Sequence, residues 1–249
     1  MAIDLADFES RTKKAIKQFW GNRETALQQQ KTAGVIDQGM RGAVTSGKNM
    51  DGFSALMEQI VKLNGLENAT IIQSGRLMTL PGFFRPTKMW DFVVMNGTEL
   101  VAAIEFKSQV GSFGNNYNNR TEEAIGTAHD FWTAYREGAF GEQPRPFVGW
   151  FMLLEEHEKS CRPVNDKSPH FPIFPEFIGA SYADRYNELC KKVVQEQLYT
   201  AACVVLSPST AGINGKYRCM SDLTNLTVFV SSFAGHIASV AARNKVKNK

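Results

Sequence analysis

The residue order predicts a mixed α/β fold, a β-sheet covered by helices. Three observations carry that expectation. Segments with apolar residues at helical spacing alternate with short apolar, β-branched runs. Two of those runs flank Asn96-Gly97, which reads as a hairpin turn. The later runs, near 147–154 and 201–206, are each preceded by a segment of helical pattern. A chain of 249 residues with 43% hydrophobic and 11% aromatic content can fill a sizeable core and is not disordered. We read residues 1–249 as a single unit: a helical N-terminal part (1–65), a sheet-containing core (66–208), and a C-terminal helix with a basic tail (209–249).

The elements follow in order. Leu5, Phe8, Ile16, Phe19 and Trp20 recur at helical spacing over residues 4–30, with Lys13, Lys14 and Lys17 solvated between them. A Gly-rich stretch, Gly34 to Gly52, interrupts. A second helix over 53–63 puts Phe53, Leu56, Met57, Ile60 and Val61 on one face, with Gly65 past its end. Thr70–Ile72 is a short strand candidate; Trp90–Met95 and Glu99–Lys107 are longer ones. Helices over 120–136, 181–199 and 223–243 then bracket the strands at 147–154 and 201–206. Pro163, Pro169, Pro172 and Pro175 mark a loop, and no internal repeat is visible.

Charge and cysteine usage narrow the class. Twenty-eight basic residues against 25 acidic give +3, far from a generally basic binder, so any nucleic-acid surface must be local. Cys161, Cys190, Cys203 and Cys219 are widely spaced with no CxxC pair, which reads as reduced thiols, neither zinc site nor disulfide framework. The acidic N-terminus lacks the pattern of a secretory signal, and no stretch approaches ~18 uninterrupted apolar residues. A cytoplasmic protein is the expectation.

Two motif matches are weak. Gly42 to Lys48 fits GxxxxGK, but Asn49 stands where a magnesium-binding hydroxyl belongs and no buried strand precedes it. It reads as a flexible loop, although Lys48 near a helix start suits a nucleic-acid phosphate. His157-Glu158-Lys159 has the HxK of phospholipase-D-like nucleases, yet Val164 occupies the position of the expected Asp and there is no second HxK. His129, His170 and His236 show no metal-ligand spacing.

The strongest signal is Glu105-Phe106-Lys107-Ser108-Gln109. Glu105-x-Lys107 is the only [Asp/Glu]-x-Lys in the chain, and it ends a strongly apolar strand. Period 2 puts Glu105, Lys107 and Gln109 on one face and Ile104 and Phe106 on the other. Asp91 is the only acid in the preceding strand. Two carboxylates and a lysine converging at a sheet end make a divalent-metal site with a positive charge beside it. Magnesium held by Asp91 and Glu105 would bind phosphate and acidify a water, and Lys107 would orient that water and stabilise charge on phosphorus. The alternative is a partly buried salt-bridge cluster at a sheet edge. On the metal reading, the acid pair needs a cation before it can approach phosphate.

Register tests the convergence. An unbulged two-residue Asn96-Gly97 turn would pair Asp91 with Ala102, on the face opposite Glu105. Convergence needs an odd loop or a bulge. We expect a three-residue Asn96-Gly97-Thr98 loop, with Asp91 opposite Ala103 and diagonal to Glu105 at roughly 7–8 Å between Cα atoms.

At these residues the chain resembles the PD-(D/E)xK nucleases, with Trp90-Asp91 in place of the usual Pro-Asp. The wider stretch Gly97–Phe140 is similar to the XhoI family of type II restriction endonucleases. It includes Phe113-Gly114-Asn115-Asn116-Tyr117-Asn118-Asn119-Arg120 and Asp130-Phe131-Trp132, and Met50-Asp51-Gly52-Phe53 fits too. The resemblance implies a restriction-endonuclease-like core with extra terminal helices. It also implies a homodimer cutting double-stranded DNA at CTCGAG or a closely related palindrome, with Mg2+ and 5′-phosphate products. A cognate methyltransferase would protect the same site without needing to bind. A structure-specific repair or junction nuclease, or a non-catalytic DNA-binding protein, are the alternatives. The fold commonly places another glutamate on the helix before the sheet; Glu58 is the match, with a solvated helix glutamate as its plain alternative. Gln109 completes the catalytic candidates. For DNA reading, the 111–120 loop offers Asn115, Asn116, Asn118 and Arg120, since asparagine can bond adenine and arginine guanine bidentately. Asn119, with Glu122 three residues on, reads as a helix cap. Arg85, with Arg76 and Lys88, is a basic stretch suited to phosphate, and the Arg243–Lys249 tail a solvated end. The C-terminal helix, with Phe229, Phe233, Ile237 and Val240, is a candidate dimer face or core element.

Overall fold

Two apolar clusters lie on opposite faces of one six-stranded sheet, and the site is built where a central strand leaves it. The computed structural model describes residues 3–32 and 47–247. The segment Gly42–Ser46 and the side chain of Lys48 lie outside the described residues; the Lys48 backbone belongs to a short 3-10 turn, Gly47–Met50.

The strands are β1 (Thr70–Ile72), β2 (Thr79–Pro81), β3 (Thr87–Met89), β4 (Phe92–Asn96), β5 (Glu99–Gln109), β6 (Phe147–Glu155), β7 (Ala201–Ser207) and β8 (Arg218–Cys219). The long helices are α1 (Phe8–Thr32), α2 (Asp51–Leu63), α3 (Phe113–Arg136), α4 (Tyr182–Gln195) and α5 (Leu226–Lys247). The large sheet runs β1-β4-β5-β6-β7-β8, while β2 and β3 form a separate two-stranded ribbon. Strands β5, β6 and β7 are parallel and the outer pairs antiparallel, so the sheet is mixed as expected.

Helices α3 and α4 make the parallel crossovers on one face, over Trp150, Met152 and Val204. Helices α1, α2 and α5 cover the other, over Phe92, Ile104, Phe106 and Phe151. Every residue of β6 from Phe147 to Leu154, and all of β7, is buried, as strands covered on both faces should be. Helix α5 is long and apolar enough by composition to cross a membrane, but Phe229, Phe233, Ile237 and Val240 are buried in this core. The dimer face considered for that helix is therefore corrected: those side chains are spent on packing. The tail is helical through Lys247, and Arg243 forms an ion pair with Glu99 instead of fraying. All four cysteines are free.

The packing of α5 has a measurable edge. A Cβ added at Gly149 on β6 would stand 2.8 Å from Phe147 Cε1 and 2.9 Å from Phe229 Cζ, both fully buried rings. Gly149→Ala is expected to destabilise the protein by about 1–3 kcal/mol, since overpacking a filled core forces its neighbours aside. A thermal melt would read this as a midpoint lower by roughly 3–10 °C; an unchanged midpoint would mean the rings give way freely.

The hairpin joining β4 to β5 differs from expectation. Its loop is Gly97-Thr98, two residues, with Asn96 paired to Glu99. Gly97 at φ +61° and Thr98 at negative φ fit a type II′ turn, the hand that suits the strand twist. The register then slips: Met95 pairs with Leu100 but Val94 with Ala102, leaving Val101 as a bulge. Without the slip Asp91 would fall opposite Ile104, on the wrong face. With it, Phe92 pairs with Ile104, where the register ends, the Asp91 N–H bonds the Ile104 carbonyl at 3.3 Å, and the Asp91 carboxylate reaches the Phe106 N–H next to Glu105. The three-residue loop is thus corrected to a two-residue loop plus a bulge. His236 Nε2 donates to the Val101 carbonyl at 3.0 Å, so the bulged residue's acceptor stays satisfied in the core.

Candidate active site

Strand β5 carries Glu105, Lys107 and Gln109 out of the sheet on the α3 face, opposite Ile104 and Phe106, as the alternation requires. Glu105 is 3% exposed. A carboxylate there must be paired, and it is paired twice. Lys88 Nζ donates to its Oε2 at 2.7 Å, and Lys107 Nζ bonds its Oε1. Both lysine side chains are about one-fifth exposed. Lys107 also lies 3.9 Å from Glu123 on α3, which in turn bonds Arg120 at 2.7 Å.

Asp91, just ahead of β4, accepts the Phe106 N–H through Oδ2 at 2.8 Å. Among the described residues, its Oδ1 takes no hydrogen bond. The residue is open to solvent at its surface yet densely surrounded by protein. Burial, and then the neighbouring Glu105 charge, push its pKa up to about 6; Lys107, the Phe106 N–H and Lys88 hold back a larger rise.

This donor set suits a hard divalent cation. Two carboxylates on one face repel each other, and a cation relieves that repulsion. Among the described residues no group of three or more His, Cys, Asp or Glu side chains is gathered. Two carboxylates leave the remaining coordination positions to water and phosphate, the pattern by which magnesium is commonly held. The formal charges of Asp91, Glu105, Lys88 and Lys107 cancel.

Lys88 is the member sequence reasoning missed. By position in the chain it belongs to a basic stretch suited to phosphate, with nothing local to link it to Glu105. The signal for it is the ribbon β2–β3, which no alternation announces: Trp90 N–H bonds the Met78 carbonyl at 3.0 Å, and β3 delivers Lys88 beside Glu105. Its ammonium also lies 5.4 Å from the centre of the Trp90 ring.

Other candidates stand elsewhere. Gln109 shares the face of Glu105, but it donates to the Phe113 carbonyl at 3.1 Å and accepts from Tyr186, so it latches α3 and α4 to the strand. Glu58 bonds Lys62 at 2.5 Å and Gln73 at 2.7 Å, and none of its hydrogen bonds reaches Asp91 or Glu105. Arg85 Nε donates to Asp130 at 2.9 Å, a structural anchor that leaves the residue half exposed.

The 111–120 loop is corrected to helix: α3 begins at Phe113, after Ser112 in the left-handed region at φ +46°. Asn119 therefore sits inside the helix and caps nothing. Phe113 and Tyr117, one turn apart, are buried beside Tyr182 and Tyr186, and that packing overrides the turn preference of the asparagines. Asn115 and Asn118 are exposed on the first turns of α3, while Asn116 and Arg120 are partly covered. His157 Nδ1 accepts the Lys159 N–H at 3.0 Å, capping the single helical turn Glu158–Cys161.

The fold is that of a nuclease with a restriction-endonuclease-like core: a mixed sheet between helical layers, an acid pair and lysines at the end of its central strand. The comparisons give the particular family. The family described as restriction endonuclease XhoI matches residues 29–219. Type II restriction enzyme XhoI of Xanthomonas vasicola is 53% identical over 198 residues, 78% of either chain. Type II restriction enzyme AbrI of Azospirillum brasilense is 60% identical over 172 residues, 69% of this chain and 77% of that one. Type II restriction enzyme BstVI of Geobacillus stearothermophilus is 44% identical over 218 residues, 85% of this chain and 97% of that one. No solved structure matches the chain significantly. The chain belongs to the XhoI family of type II restriction endonucleases.

Proposed function

We propose that the protein, acting as a homodimer and a single nuclease unit per chain, cuts both strands of duplex DNA at CTCGAG or a closely related palindrome. Hydrolysis uses Mg2+ and leaves 5′-phosphate ends. One observation carries the reading: the Asp91 carboxylate is tied to the Phe106 N–H, next to Glu105, where two lysines meet that glutamate. Asp91 and Glu105 are the residues that would hold the metal, which when bound acidifies water and neutralises phosphate charge. Lys107 orients the attacking water and offsets the negative charge that grows on phosphorus. Lys88 supplies a second positive charge from the other side of Glu105. Asp91, tied by Oδ2 to the Phe106 N–H, keeps its free oxygen at a fixed height above β5. The target sequence rests on membership of the XhoI family, and the palindrome fits a twofold dimer.

The test is plasmid DNA incubated with Mg2+ or with chelator at a series of pH values, with the ends mapped. Discrete fragments ending at one sequence, only with Mg2+, are expected. The rate should rise with pH up to a midpoint at or below about 6, because protonated Asp91 cannot ligate and a bound cation favours its ionised form. Structure-dependent nicks would make it a repair nuclease, and no cleavage would leave the acid cluster a structural one.

A further inference from the structure

The ribbon β2–β3 has a feature that the site does not use. Over residues 76–90 the chain holds Arg76, Arg85 and Lys88 and no acid at all. In the same stretch Leu77, Phe83, Phe84 and Met89 are each more than half exposed, and Phe83 and Phe84 belong to neither core cluster. Arg85 is paired with Asp130 and Lys88 with Glu105, which leaves Arg76 beside these exposed apolar side chains; one cation next to exposed aromatic rings suits a nucleic acid, with its phosphates and apolar base faces.

The tip is held rigid. Asp130, 3% exposed on α3, accepts the N–H groups of Phe83 and Phe84 at 2.7 Å each and of Arg85 at 3.3 Å through one oxygen. Its other oxygen takes Arg85 Nε at 2.9 Å. Gly82 passes so close that a Cβ there would collide with the Asp130 carboxylate and the Arg85 carbonyl. Phe84 stacks on His129, rings 5.6 Å apart and 15° from parallel, and Phe83 meets Phe84 edge-on at 5.1 Å. A side chain that parts stacked bases must not fold back under the load, and this tip is braced against that. The ribbon also leads straight into the site. Lys88 bonds Glu105, and Asp91 follows Trp90. A duplex whose phosphate lies at Glu105 passes the ribbon within a few residues' length.

We propose that the β2–β3 ribbon is a DNA wedge: Phe83 and Phe84 stack into and open a base step beside the scissile phosphate, with Arg76 on the backbone next to it. The inference rests on the reading that Asp91, Glu105 and Lys107 receive that phosphate. Aromatic stacking on bases is the ligand chemistry, and removing such a contact commonly costs on the order of tenfold or more in affinity.

The experiment uses full-length protein, with Ca2+ in place of Mg2+ to suppress turnover. The probes are duplexes of the cleaved sequence with 2-aminopurine placed in turn at each base flanking the cut. Wild type is expected to raise the fluorescence several-fold at one step. The double variant Phe83→Ala, Phe84→Ala should leave it at the free-duplex level, bind about tenfold more weakly, and keep its melting midpoint and its mass by light scattering. Phe84→Trp should restore the signal. No rise at any position with wild type overturns the proposal, as does a double variant that unstacks like wild type. A double variant that changes mass instead makes the ribbon a contact between copies. A failure of the active-site reading looks different: Lys107→Ala would still cut, whatever the fluorescence does.

Discussion

Lys107→Ala is expected to slow cleavage by at least about 10³-fold while leaving DNA affinity within a few-fold of wild type. Removing one preorganised positive group aimed at developing charge costs about 10²–10³ in rate, and loss of proton handling adds to it. Binding should hardly change, because affinity for duplex DNA is summed over many phosphate contacts. Stability should also hold. Glu105 loses one of two lysine partners and keeps Lys88 at 2.7 Å, so no buried carboxylate is left alone. Lys107→Arg should rescue little, since a planar guanidinium cannot place one compact ammonium where Lys107 bonds Glu105. Single-turnover cleavage, filter binding and a thermal melt read the three expectations separately. A Lys107→Ala enzyme that cuts within tenfold of wild type would make the cluster a structural ion-pair network.

What was legible in the sequence is what periodicity controls. Ile104 and Phe106 had to face one core and Glu105 and Lys107 the other, because side chains alternate and the run between them is apolar. The α/β order followed from the switch between helical and strand spacing. Register was not legible. The bulge at Val101 sits inside an unbroken run from Leu100 to Ile104 with no glycine or turn residue to announce it, and the partner of its carbonyl, His236, lies 135 residues on. Asn96-Gly97 pointed to the turn but not to its frame, since Gly97 takes the first central position rather than the second. Long-range partners hid the rest. Asp130 shapes a loop 45 to 47 residues earlier, and it reads in sequence only as one more helix acid. Gln109 shares the face of Glu105, but its partner Tyr186 lies 77 residues away, beyond any local pattern.

The same long-range effect revises the meaning of the net charge. A total of +3 says nothing about where charge meets phosphate. Lysines from β3 and β5 converge on one glutamate, and Arg85 on the ribbon is held by Asp130, so most of the local cations are already paired. A few local cations release few counterions, which lets a sequence-specific enzyme leave non-target DNA.

Glu105→Gln separates the roles of that glutamate, because its two expected effects have opposite signs. Cleavage should fall by at least about 10³-fold, since a neutral amide is a poor ligand for a hard cation and the metal's charge stabilisation goes with it. Affinity for the cognate duplex in chelator should instead rise several-fold. The formal charge of Asp91, Glu105, Lys88 and Lys107 goes from zero to +1, and both ammoniums lose the carboxylate that holds them. If one freed lysine takes a phosphate, the slope of log affinity against log salt steepens by about 0.9. The fold should survive: both lysines are about one-fifth exposed and can turn to water when their partner weakens. A misfolded variant loses cutting and binding together, so stronger binding with no cutting cannot be mistaken for damage. Equal or weaker binding in chelator would mean that Lys88 and Lys107 serve Glu105 and never face the phosphate.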